Sequence, residues 1–333
     1  MTSRGVRIGV LGATGALGGE VLAALDESRL RIAEIVPVAT EGSLGEEIEF
    51  QGEDYAVVTE VPSLRGLDLV FCCAPPDASL AWVREALRAE VPCIDCSGAL
   101  LDSEEVPLRV AALAATPGAE GVPVVSTPDA AVLAWSLVLA PLHRAASVRR
   151  VVGTVLESAS AAGREGIAGL STESLALFNQ RDAPDPTAFG RPLAFDCHAT
   201  LEPPDEEGHA PRERALQRGL ARLVDPSVEV AATVAQVPAF VGQASALAIE
   251  TERALDAKEA EDHLAQAPGV ELWTHGPEGP NLRAAAGRDV VIVGRVRADP
   301  SAPNGLLLWI SADALRLAAV NAVTLAVARL QPH

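Results

Sequence analysis

Tyrosine and lysine are almost missing from this chain. Its 333 residues hold one Tyr, Tyr55, and one Lys, Lys258, far apart and outside any shared motif. A dehydrogenase that transfers hydride directly with a Tyr/Lys acid pair is thereby set aside. Cysteine is sparse and odd in number: Cys72, Cys73, Cys93, Cys96 and Cys197. Five cysteines in a long chain read as reduced thiols rather than a disulfide framework. Positive charge is short as well. There are 26 basic against 45 acidic residues, a net charge of −19 spread along the whole sequence. Such a surface repels phosphate backbones and anionic lipid, which argues against nucleic acid and membrane as partners. No run reaches the roughly 18 uncharged apolar residues of a membrane helix. Met1 to Gly12 leads straight into a strand and a glycine turn, with no apolar segment followed by a small-residue cleavage site. A cytoplasmic location is the expectation.

What is present is core. Hydrophobic residues make up 49% of the chain, ample for two domains. Val6 to Gly12, Arg31 to Ala39, Tyr55 to Thr59, Leu67 to Ala74, Val91 to Cys96 and Val122 to Ser126 have the character of strands. Ala16 to Leu25 and Ser79 to Ala89 have helical spacing. Apolar strands alternating with helices predict a Rossmann-type, doubly wound parallel sheet covered on both faces. Cys93 and Cys96 have the spacing of a metal or redox pair. They lie on one such strand, where positions three apart point to opposite faces, so no metal is expected.

The second half reads as α+β. Val148 to Leu156, Glu229 to Val237, Ala244 to Glu250, Val290 to Arg297 and Leu306 to Ile310 are strand-like. Arg212 to Val224 is an amphipathic helix, and Gln180 to Gly208, rich in Pro, Asp and Glu, is expected as surface loop. A last helix, Ala312 to Leu330, sets Leu315, Ala319, Ala322, Val323 and Ala326 on one face.

The strand ending at Gly12 runs into Gly12-Ala13-Thr14-Gly15-Ala16-Leu17-Gly18 and then a helix. Glycines in that context make the tight turn and let backbone N–H groups approach a pyrophosphate at the helix N-terminus. Gly12, Thr14, Gly15, Ala16, Leu17 and Gly18 are therefore candidate contacts of NAD or NADP. The ribose should be read at the end of the second strand, in Ala39-Thr40-Glu41-Gly42-Ser43-Leu44-Gly45. That turn offers Thr40 and Glu41 but no Arg, and an acid there suits a free 2′-hydroxyl. A solvated loop glutamate is the equally good alternative.

GATGALG at 12–18, IDCSGALL at 94–101, VPVVSTPDAAVLAWSLVLAPL at 122–142, VAQVPAFVGQASAL at 234–247, VIVGRVRAD at 291–299 and ADALRLAAVNAVTLA at 312–326 fall in an order that resembles aspartate-semialdehyde dehydrogenases over nearly the whole chain. The resemblance is strongest to the Usg-type paralogues, bacterial members that also lack the catalytic cysteine. It implies a dinucleotide-binding domain of residues 1–130 plus 312–333, with the C-terminal helix returning to it. Residues 131–311 would form a dimerisation and substrate domain, and the protein a homodimer with a family role in amino-acid biosynthesis.

In the family a Cys thiolate attacks the aldehyde, hydride passes to NADP, and phosphate cleaves the acyl-thioester. A His moves protons, an Arg clamps the substrate carboxylate, and a Gln orients the site. The resemblance puts those positions on Ala130, Gln243, Gln236 and Glu157 respectively. All four are changed, so no catalytic set is intact. The supporting positions Leu101, Ala111 to Ala114 and Asp313 to Ala318 depart from the family pattern too. Two readings stay open: a catalytically inactive paralogue, or an active NAD(P)-dependent oxidoreductase on an aldehyde or oxo donor with a displaced nucleophile. Ser126, Thr127, Asp129 and Cys197 are the candidates for the latter.

Overall fold

The computed structural model describes residues 5–61, 63–113, 121–182, 188–200, 202–274 and 279–331. Ala114, residues 183–187 and Leu201, which belong to segments read above, lie outside them. The chain divides into two compact units, 1–129 with 318–333, and 130–317.

In the first unit, β1 (Val6–Leu11) leads through the glycine turn into α1 (Ala16–Asp26) and β2 (Ile32–Val38). A small antiparallel hairpin, β3 (Glu47–Phe50) and β4 (Glu53–Ala56), follows. Then come β5 (Leu69–Cys72), α2 (Pro76–Ala89), β6 (Cys93–Asp95) and β7 (Val124–Ser126). The five long-range strands pair in parallel in the order β2-β1-β5-β6-β7. Strand order reverses beside β1, so the C-terminal ends of β1 and β5 form the crevice where such folds bind ligands. Leu69, Val70, Phe71 and Cys72 are all buried, as a central parallel strand requires.

Alternation along these strands splits the cysteines between two cores. Cys72 and Cys93 pack with Val70 and Val83, while Cys73 and Cys96 pack against the core of Ile8 and Leu25. Cys93 and Cys96 therefore face opposite ways, as their spacing implies. The close pair runs across strands instead, with Cys72 Sγ 3.5 Å from Cys93 Sγ. Hydrogen bonding to Cys93 and burial push the Cys72 thiol well above its ordinary range, and Cys96 and burial do the same for Cys73. These are protonated core thiols.

The second unit opens with α3 (Ala130–Ala146), buried on nearly every side from Ala131 to Leu142. The strand and loop reading passes over this helix because it is apolar all round and shows no amphipathic period. Next come β8 (Val148–Glu157), α4 (Gly163–Phe178), α5 (Pro211–Leu223), β9 (Glu229–Gln236), β10 (Gln243–Thr251), α6 (Ala257–Ala265), β11 (Val270–Trp273) and a short α7 (Leu282–Ala285). β12 (Val291–Ala298), β13 (Gly305–Ala312) and α8 (Ala314–Leu330) close the chain. The six-stranded mixed sheet has the order β11-β12-β13-β10-β8-β9. β9 is an edge strand, whereas β12 lies inside, paired on both sides.

α3 is held to this sheet at Trp135. Its ring lies where a Cβ on Gly153 would come within 2.7 Å, and its Nε1 donates to Ser245 Oγ at 2.9 Å. Two expectations need correction. The Pro- and acid-rich segment is not simply surface loop, because Phe189, Leu193, Ala194 and His198 are buried. The buried carboxylate of Glu173 accepts the backbone N–H of Leu193 and of Ala194 and so fixes the segment. On α8, Ala319, Ala322, Val323, Leu325 and Ala326 enter the first unit's core, and Leu315 stays half-exposed.

Candidate functional site

The glycine turn of the first unit is built as close packing demands. Gly12 has φ +80°, and a Cβ there would lie 2.8 Å from the backbone carbon of Cys73. A Cβ on Gly18 would fall 2.1 Å from Gly12 O, so only glycine lets α1 sit so near the turn. Gly15 caps α1 with no side-chain hydrogen bond, and the first turn carries no acid. Its N–H groups and dipole thus suit a pyrophosphate, and the residues fit a dinucleotide. Thr14 Oγ1 meets Ser43 Oγ at 3.0 Å, which ties this turn to the loop after β2. In that loop Glu41 begins a short 3₁₀ turn and is exposed, with Thr40 as its cap residue.

In the second unit the four positions that the resemblance singles out come together. Glu157 ends β8 and pairs with Gln236, which ends the parallel neighbour β9. Glu157 also stands opposite Gln243, which opens the antiparallel neighbour β10. The three side chains form a row across the sheet: Gln243, Glu157, Gln236. All three are buried. Gln243 Nε2 donates to Ala130 O at 3.0 Å, which brings in the first residue of α3.

A cleft of about 390 Å³, counting its open mouth, lies at the Gln236 end of this row. Ala161, Ala162, Ala210 and Val234 supply apolar wall; Glu157, Gln236, Thr200, Glu202 and Arg212 supply polar groups. Arg212 Nη1 donates to Glu157 Oε2 at 2.5 Å, and its Nε lies 3.8 Å from Glu202 Oε2. Glu157 is 7% exposed and Arg212 36%, so the guanidinium supports a carboxylate that has almost left water. Gln236 differs. It is 4% exposed, and its Nε2 has no hydrogen-bond partner among the described residues. Its backbone is fully used, since N and O both bond to His198.

Sequence reading misses Arg212, Thr200 and Glu202. A signal for Arg212 existed: an acid at a buried strand end needs a cation beside it. Nothing local says that the base comes from the first turn of a helix 55 residues on.

Of the displaced-nucleophile candidates, Asp129 is exposed just ahead of α3, and the other three are placed poorly for the task. Ser126 Oγ donates to Asp95 Oδ2 at 3.2 Å, and Thr127 Oγ1 donates to Asp95 O at 3.3 Å. Asp95 also accepts Ser97 N, Ser97 Oγ and Leu100 N, the bonding of a loop anchor. Cys197 is exposed, while the ring of the adjacent His198 turns inward with Nε2 2.7 Å from Pro192 O. They do not form a thiol–imidazole pair. The altered segment at 313–318 serves structure: Asp313 accepts Gly287 N and Arg316 N, and Arg316 Nε donates to Asp289.

Residues 7–146 match the family model for the semialdehyde dehydrogenase NAD binding domain, and residues 139–317 that for the semialdehyde dehydrogenase dimerisation domain. An aspartate-semialdehyde dehydrogenase from Aquifex aeolicus is 29% identical over 97% of this chain and 97% of its own length. A USG-1 protein homolog from Azotobacter vinelandii is 31% identical, again over 97% of each. The crystal structure of aspartate semialdehyde dehydrogenase II from Vibrio cholerae complexed with ASA has a TM-score of 0.92 at 30% identity, covering 97% of this chain and 98% of that one. The chain therefore belongs to the aspartate-semialdehyde dehydrogenase family.

Proposed function

We propose that this chain is a homodimeric, non-catalytic member of its family that keeps a dinucleotide crevice and a remodelled pocket. The observation that carries the reading is the row Gln243–Glu157–Gln236 with Ala130 at its end. The family chemistry needs a nucleophile that is also a leaving group, and the methyl group of Ala130 is neither. It needs a proton carrier, and the amide of Gln243 does not titrate near neutral pH. It needs a charged fork for a carboxylate, and Gln236 offers a neutral amide. Glu157 is bound to Arg212 in an ion pair and is not a neutral orienting group. An active oxidoreductase with a displaced nucleophile has no comparable support, since Ser126 and Thr127 are tied to Asp95 and both Asp129 and Cys197 are exposed.

The dinucleotide would be held by the turn of Gly12, Thr14, Gly15, Ala16, Leu17 and Gly18, with Thr40 and Glu41 toward the ribose. A bound nicotinamide supplies a hydride acceptor or donor. The turn donates backbone N–H groups, Gly12 and Gly18 leave room for the phosphates, and Glu41 selects at the 2′ position. A carboxylate repels a 2′-phosphate, so NADP gains no advantage over NAD. Titration calorimetry with both nucleotides, alongside an absorbance assay with aspartate semialdehyde and phosphate, tests the proposal. Binding without turnover is expected, with NADP no tighter than NAD. NADP bound tenfold tighter, a difference of about 1.4 kcal/mol, overturns the assignment of Glu41, and turnover overturns the non-catalytic reading.

A further inference from the structure

Residues 7–146 match an NAD binding domain, yet the two walls of the crevice at the ends of β1 and β5 are built differently. The near wall is the turn from Gly12 to Gly18. There α1 starts on glycine, with no side-chain cap and no acid in its first turn. Thr14 Oγ1 and Ser43 Oγ, 3.0 Å apart, join the turn to the loop that carries Glu41. This wall suits a diphosphate and the ribose beside it. The far wall is Cys73-Ala74-Pro75-Pro76. It lies against the turn, since a Cβ on Gly12 would come within 2.8 Å of the Cys73 carbonyl and 2.9 Å of Ala74 N. Its backbone groups are already engaged. Cys73 N donates to Leu11 O at 2.9 Å, Ala74 O accepts from Ser79 Oγ at 2.8 Å, and Pro75 O accepts from Ser79 N at 3.0 Å. Pro75 and Pro76 have no N–H, so α2 opens without the donors that α1 presents. Asp77 puts a negative charge in the first turn of α2, which answers the helix dipole and disfavours an anion there. The loop after β6 is turned inward as well. Cys96 N donates to Cys72 O at 2.9 Å, Ser97 N, Ser97 Oγ and Leu100 N donate to Asp95, and Ala99 N donates to Ser97 Oγ at 3.1 Å. A second nucleoside, with ribose hydroxyls and a carboxamide to satisfy, meets groups on this side that are bonded to one another.

We infer that the crevice grips its ligand as a nucleoside diphosphate with a free 2′-hydroxyl, through the α1 wall, and that the nicotinamide of NAD adds no affinity. The inference rests on the reading of the glycine turn as a phosphate cradle, but not on the absence of turnover.

The test is titration calorimetry on the full chain with three probes: NAD, ADP-ribose, which is NAD without its nicotinamide, and nicotinamide mononucleotide, which is the other half. NAD should bind no more than about threefold tighter than ADP-ribose, and nicotinamide mononucleotide should bind at least about tenfold more weakly than either. A larger advantage for NAD, or nicotinamide mononucleotide bound as tightly as ADP-ribose, overturns the inference. Asp77 is exposed, so Asp77→Asn should fold, and it should shift the NAD and ADP-ribose constants equally. A loss confined to NAD would place the cationic ring against that acid and overturn the inference by a second route. The outcomes separate the two claims. If neither NAD nor ADP-ribose binds at millimolar concentration, the phosphate-cradle reading falls and the inference with it. If NAD binds and ADP-ribose does not, the inference alone falls.

Discussion

At the scale of single residues, the instructive pair is Glu157 and Arg212. By the resemblance, Glu157 stands where the family has a neutral Gln, and the structure shows its charge answered by Arg212. A thiol at position 130 would also sit at the N-terminus of α3, which favours a thiolate. In the reading proposed above, the obstacle to rescue is the pair of neutral amides, Gln243 and Gln236, at the positions assigned to the proton carrier and the carboxylate clamp. The pair also has a structural role that can be measured. Arg212→Ala removes the guanidinium from a carboxylate only 7% exposed, and should lower unfolding stability by about 1–3 kcal/mol in a urea titration. Glu157→Gln introduced together with it should recover part of that loss, because a neutral amide tolerates burial better than a charge. An unchanged midpoint for Arg212→Ala would show that the ion pair contributes nothing.

At the scale of elements, the parallel sheet was legible because its strands are largely apolar and alternate with helical spacing, and several of its turns are marked by glycine or proline. The glycine turn was legible for a sharper reason: its three glycines perform distinct steric tasks, and Gly18 leaves no room for a methyl group beside Gly12 O. Gly18→Val should accordingly abolish nucleotide binding and lower the melting temperature, read by calorimetry and thermal denaturation on one sample. Retained nucleotide affinity would mean that the turn is not the phosphate cradle. Elements without a periodic signal were not legible. α3 is buried all round, so the period of its apolar residues is invisible. α4 is packed through Gly166, where a Cβ would lie 2.2 Å from Ala159 O, and glycine reads locally as a helix breaker. The buried turns at Phe189 to Ala194 depend on Glu173, an acid that sequence patterning assigns to the surface. The row at the sheet end was legible only in part. The resemblance named its members, but their adjacency depends on the register of three strands.

At the scale of the whole molecule, the chain divides into two compact units and matches both domain models of its family; the exchange of its chemical groups is the proposed reading. Scaffold and site respond to different constraints. Glycines, buried strands and the α3 anchor at Trp135 are fixed by packing, whereas a polar side chain at a strand end can change if its charge is answered nearby. Assembly belongs to this scale as well. The dimerisation-domain match predicts a dimer by light scattering at micromolar concentration. A stable monomer under those conditions would contradict the proposed assembly, and no point substitution is needed to decide it.

In the reading proposed above, the replacements at Ala130, Glu157, Gln236 and Gln243 silence the family reaction together. Such groups cooperate, so repairing one recovers little. The most direct measurement is NADPH formation from aspartate semialdehyde and phosphate by wild type, by Ala130→Cys, and by the quadruple variant Ala130→Cys, Glu157→Gln, Gln236→Arg, Gln243→His. No turnover is expected for wild type, next to none for the single variant, and measurable turnover only for the quadruple. Robust turnover by wild type would contradict it outright, and strong turnover by Ala130→Cys alone would show that the other three positions do not hold the roles given to them.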